Sequence, residues 1–114
     1  MATEQRKFPA DPIAFIRTCI AEGKVFWTYH ANMRLQRRAL TRADIFSAAP
    51  SFALVEAYPD DKYLPSYLVL GHGPTGPLHV LIAADVEGDN IRIVTAYRPD
   101  PDEWEDDLKA RRNA

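Results

Sequence analysis

A chain of 114 residues that is 46% hydrophobic and 26% charged has the composition of one ordinary globular domain, which excludes wholesale disorder. Fourteen Lys plus Arg against sixteen Asp plus Glu leave a net charge of −2, so a generally basic nucleic-acid coat is excluded while a local basic patch is not. A lone cysteine, Cys19, excludes an intramolecular disulfide; no apolar run approaches the roughly 18 residues of a membrane span, and the polar start lacks a secretory signal, so a cytoplasmic protein without membrane association is expected.

In chain order, residues 1–10 are polar and read as a flexible N-terminal arm, with 11–114 forming a single domain. Asp11-Pro12 has the form of an N-cap followed by proline at the first helical position, and Ile13, Ile16 and Ile20 recur at helical spacing. A first helix is therefore predicted over 12–22, stopped by Gly23 and burying Cys19 as plain packing. Val25 to Tyr29 is β-branched and aromatic and reads as a short strand. His30 to Ala39 contains no breaker and reads as a second helix. Thr41-Arg42-Ala43-Asp44 has capping-box form, so a third helix starts there and ends before Pro50.

The second half changes period. Runs at 52–58, 66–70, 78–83 and 91–97 read as four strands separated by turn-forming residues, and the short links favour antiparallel neighbours. A last helix is predicted over 102–109, with Trp104 packing back on the domain. The result is an α+β domain: a mostly antiparallel sheet of four to five strands with helices packed on one face.

The strongest local signal lies on the second helix. At about 100° per residue, His30, Arg34 and Arg37 fall within about 60° of one another, with Arg38 beside them. Ala31, Leu35 and Ala39 form an adjoining seam that can face the core. Five basic and no acidic residues lie between Lys24 and Arg42, whereas six acidic and no basic residues lie between Asp100 and Asp107. The arginines grip phosphate, through planar forks that bond two oxygens at once, or pair with those carboxylates, or are simply solvated; His30 joins them or is structural, its ring bonded to backbone near the helix start. His79 alternates with Leu78, Val80 and Ile82 and reads as a satisfied strand histidine or as an acid–base group; His72 reads as exposed and idle. Tyr97, at the end of the last strand, either binds a base or phosphate or caps the core edge. The histidines show no metal-ligand spacing, and no nucleotide-binding loop is present, so neither a metal nor a cofactor is expected.

Thr28-Tyr29-His30-Ala31, with Arg34 and Arg37, resembles the T-x-H-A-x-x-R-x-x-R signature of a bacterial family, domain of unknown function 4258. The runs Leu78-His79-Val80 and Ile93 to Tyr97, and the tail Tyr97 to Asp100 with Trp104, are similar to the same family over about residues 13–112. The resemblance implies distant kinship with RelE-like toxins of toxin–antitoxin pairs. It also implies the order strand, two helices, antiparallel sheet from residue 24 onward, with the helix at 12–22 as an N-terminal addition.

Three functional readings follow. The first is a toxin-like, metal-independent endoribonuclease, which needs a base for the 2′-hydroxyl, cations for the crowded phosphorane and an acid for the leaving 5′-oxygen. His30 and His79 are its acid–base pair in unassigned order and must meet across one cleft; Arg34 and Arg37 hold the phosphate, and Arg38, Thr28 and Tyr97 line the substrate. Its partners are RNA and an antitoxin protein. The second is a non-catalytic interaction module whose basic helix meets an acidic partner or the acidic tail, within one chain or across a homodimer. The third is an anion-binding pocket without chemistry.

Overall fold

The computed structural model describes residues 7–112. Helix α1 (Pro12–Ala21) leads into the short strand β1 (Val25–Trp27), helices α2 (Tyr29–Arg37) and α3 (Arg42–Ala48), and a 3-10 turn at Ala49–Ser51. Strands β2 (Ala53–Tyr58), β3 (Ser66–Gly73), β4 (Gly76–Asp85) and β5 (Asn90–Tyr97) follow. They form one five-stranded sheet in the order β1-β5-β4-β3-β2, with β1 parallel to β5 and every other pairing antiparallel. The architecture is thus α+β with a mixed sheet and helices on one face. Residues 1–6 of the predicted arm lie outside the described residues; 7–10 precede α1 without helix or strand.

The helix starts follow the local chemistry read from the sequence. The Asp11 side chain accepts from the Ala14 N–H at 3.1 Å, and Thr28 does the same for Ala31 at 3.0 Å. Thr41 and Asp44 form the reciprocal capping box of α3. The helices bury Ile16, Ala31, Leu35 and Ile45 against Val69, Leu78, Val80, Ile82, Ile91 and Ile93 of the sheet. Gly71 permits this approach, because a Cβ there would lie 2.8 Å from both the Ala48 Cβ and the Phe52 ring.

The structure departs from the sequence reading at several places: β1 ends at Trp27 and Tyr29 already opens α2, β3 and β4 run longer than read, and the two largest differences lie at the end of α2 and in the C-terminal segment. Helix α2 stops at Arg37 rather than running to Ala39, which adopts a left-handed φ of 54°. The Leu40 N–H returns to the Leu35 carbonyl at 2.9 Å and Leu40 is buried, so a Schellman-type ending is held by an apolar contact, not by glycine. The helix predicted over 102–109 does not form. The segment 99–112 is instead a strap of turns folded back on itself, with Trp104 bridging to Arg111 and the Glu105 N–H bonded to the Ala110 carbonyl at 2.7 Å. A helix there would stack Asp102, Glu103, Glu105, Asp106 and Asp107 at like-charge spacings of three and four residues. The doubled-back strap sets Arg112 against Glu105 and Asp106 instead. Trp104 packs on the domain as expected and is 2% exposed.

Candidate functional site

Burying Ala31 and Leu35 fixes the rotation of α2, leaving His30, Arg34, Arg37 and Arg38 exposed along its outer face. Among the described residues, no ion pair involves Arg34, Arg37, Arg38 or Arg42, whereas Lys24, Arg92, Arg111 and Arg112 each have one or more. The acidic strap therefore does not neutralise the helix. Arg42 bonds the Asn32 side chain at 2.9 Å and lies over the Trp27 ring at 4.5 Å.

Arg38 extends the stripe around the sheet edge. Strand β1 covers β5 only over Ile91–Ile93, so the C-terminal part of β5 is an open edge. There Arg38 donates to the Thr95 hydroxyl at 3.1 Å and to the Ala96 carbonyl at 2.7 Å, with its guanidinium 5.9 Å from the Tyr97 ring centre. These partners are neutral, so the charge of Arg38 remains uncompensated.

The register of β3, β4 and β5 places Leu68, His79, Leu81, Thr95 and Tyr97 on the sheet face opposite the helices. His79 is fully buried there, its ring edge-on to Trp104 at 4.4 Å and to Tyr97 at 5.3 Å. Its Nε2 lies 2.7 Å from the Leu108 carbonyl, which can only accept, so Nε2 carries the proton. Nδ1 then accepts from the Tyr97 hydroxyl at 3.2 Å. Burial lowers the basicity of His79 below its ordinary value, keeping it neutral, and burial also raises the Tyr97 phenol.

Beside this pair an open hollow of about 230 Å³ is lined by Tyr58, Asp61, Leu68, Thr95, Tyr97 and Arg111. Glu56 fastens its far wall: it accepts from Arg111 Nε at 3.2 Å and Nη2 at 3.0 Å, and from the Tyr58 hydroxyl. The Arg111 bonds, then that from Tyr58, hold the Glu56 carboxyl below the usual range. Among the described residues no three His, Cys, Asp or Glu side chains converge to hold a metal ion.

The predicted residues thus divide into two groups. Thr28, His30, Arg34, Arg37 and Arg38 share α2 and its cap, and Arg38 alone meets Tyr97. His30 does not meet His79: the first is exposed, with its ring beside Tyr29, and the sheet stands between α2 and the second. The expected acid–base pairing across one cleft is therefore corrected, because the apolar set Leu78, Val80 and Ile82 faces the helices and turns His79 away. His72 is exposed, in β3 rather than in a turn. Sequence reasoning missed Glu56, Tyr58 and Arg111. The one usable signal was Glu56, the sole charge in an otherwise apolar strand and two residues from Tyr58.

No curated protein and no solved structure matches the chain. One family model, described as a domain of unknown function (DUF4258), matches residues 27–98, a narrower span than the resemblance implied, leaving α1 and the strap outside it. It takes in the α2 stripe, His79 and Tyr97, and covers more than half of the sequence: the chain belongs to the DUF4258 family.

Proposed function

We propose that the protein is a toxin-like, metal-independent endoribonuclease, distantly akin to RelE-like toxins, that binds single-stranded RNA along the α2 stripe and acts at the hollow beside Tyr97. The observation that carries this reading is the stripe itself: Arg34, Arg37 and Arg38 have no carboxylate partner among the described residues, and Arg38 leads to Tyr97. Uncompensated guanidiniums on one face suit successive phosphates, and the exposed His30 and capping Thr28 lie at the start of the same track. The order strand, two helices, sheet supports the kinship by analogy.

In this reading the 2′-oxygen attacks the adjacent phosphorus and the bond to the 5′-oxygen breaks. The 2′-hydroxyl proton passes to the Tyr97 oxygen as the Tyr97 proton moves to His79 Nδ1, so His79 is a positioning residue acting through Tyr97. Arg38 meets the charge that builds on the phosphorane, and the Tyr58 phenol, which burial keeps protonated, supplies a proton to the departing 5′-oxygen. The partners are RNA and an antitoxin protein that covers the stripe.

A second reading, RNA or anion binding without cleavage, is favoured by one observation: both His79 nitrogens are already engaged inside the protein. Incubation of purified protein with long single-stranded RNA in EDTA separates the two. The nuclease reading expects cleavage that falls by roughly 100-fold or more in Tyr97→Phe, with RNA binding retained, the scale typical of losing an acid–base group. Arg34→Ala should weaken binding. Binding without cleavage supports the second reading, and absence of both contradicts each.

A further inference from the structure

The same open sheet face carries a second and larger concavity, about 420 Å³, that none of the residues of the Tyr97 hollow except Asp61 shares. A volume of this order suits a small-molecule-sized group, since such sites run to roughly 300–1,000 Å³. Its floor is apolar, formed by Ala83 and Val94 of the sheet and Leu64 of the β2–β3 loop. One wall is Tyr63, 79% exposed, with the Lys62 ammonium 5.2 Å from its ring centre. The other is Arg92, whose register neighbour on β1 is the exposed Phe26. Arg92 has a single ion pair among the described residues, to Asp85 at a long 3.6 Å, so most of its donor fork is open.

A large exposed tyrosine above an apolar floor, facing an open guanidinium, is the arrangement that takes a base and its phosphate. We infer that this trough holds a nucleotide of the RNA strand, with the base stacked on Tyr63 and the phosphate on Arg92; the inference rests on the RNA-binding reading above. Arg92 and Tyr97 are five residue steps apart along β5, about 17 Å of strand, so the bound RNA spans both concavities as one continuous segment. Charge sets its orientation. On the loop side Asp61 stands beside Lys62 in the trough, and Arg111 in the hollow is paired with Glu56, so no surplus positive charge lies there, whereas Arg38 and Arg92 lie along β5 with their charges largely open. The backbone therefore follows β5 and the bases point toward the loop.

The test is fluorescence anisotropy with a labelled ten-nucleotide single-stranded RNA of mixed sequence, titrated at several salt concentrations. Tyr63→Ala should weaken binding by roughly 5- to 100-fold, the cost of losing one stacked base, and Tyr63→Phe should retain it. Arg92→Ala should also weaken binding and make the slope of log affinity against log salt less negative by about 0.7. Both side chains are exposed, and unchanged near-ultraviolet circular dichroism confirms that the variants fold. If Tyr63→Ala and Arg92→Ala bind like the wild type while Arg34→Ala does not, the trough is overturned and the stripe reading stands. If the wild type itself does not bind, both are overturned.

Discussion

The protein holds two arginine clusters that look alike in sequence and differ in the fold. Arg111 and Arg112 near the C-terminus are consumed by structure, Arg111 by Glu56 and Arg112 by Glu105 and Asp106. Arg34 and Arg37 of α2 meet no carboxylate among the described residues, and Arg38 meets a hydroxyl, a carbonyl and the Tyr97 ring, all uncharged. The difference lies in the spacing of neighbouring charges. The acidic strap doubles back and pairs Glu105 and Asp106 with its own Arg112, and among the described residues none of its other carboxylates forms an ion pair with the helix arginines. Net charge near zero therefore conceals an acidic strap and a basic helix face that do not pair with each other, the second open to an anion.

The strap offers the largest test of this contrast. Trp104→Ala removes a buried aromatic that covers His79, and a loss of about 3–5 kcal/mol is expected from urea denaturation. If Trp104→Ala were nearly neutral, the strap would not be an integral layer of the domain.

The pH dependence of stability is a smaller effect with a definite sign. His79 titrates below its ordinary value of 6.5 when folded, chiefly through burial. Above 6.5 the imidazole is neutral in both states and its contribution is complete. As pH falls through 6.5 toward the lower folded value, the unfolded chain takes up the proton first and stability is lost. Denaturation midpoints measured from pH 8 to pH 5 should fall, and His79→Gln should flatten that part of the curve. An identical slope in both proteins would mean that His79 is not held neutral.

The smallest effect belongs to Arg112. Its pairs are solvent-facing, so Arg112→Ala should cost no more than about 1 kcal/mol and leave RNA affinity unchanged.

Much of this arrangement was legible in the sequence. Asp11, Thr28 and the Thr41/Asp44 pair announce the helix starts, because capping is a local interaction within four residues. The stripe on α2 follows from helical geometry alone. The end of α2 was hidden because Ala39 takes the left-handed position that glycine usually marks, held by the burial of Leu40, which is a tertiary effect. The strap was misread as helix because local patterning does not register where Trp104 will be buried. Separation of His30 from His79 was partly foreseeable: Leu78, Val80 and Ile82 are the more apolar set, and the helices take that face. The Glu56–Arg111 fastening joins residues 55 positions apart and has no local signature.

The central claim is that the α2 arginines stand free to hold a phosphate backbone. It is tested most directly by the salt dependence of single-stranded RNA binding for the wild type and the Arg34→Ala/Arg37→Ala double variant. Two lost phosphate contacts should make the slope of log affinity against log salt less negative by about 1.4, with folding stability changed by no more than about 0.5 kcal/mol. An unchanged slope, or no RNA binding by the wild type at low salt, would contradict it.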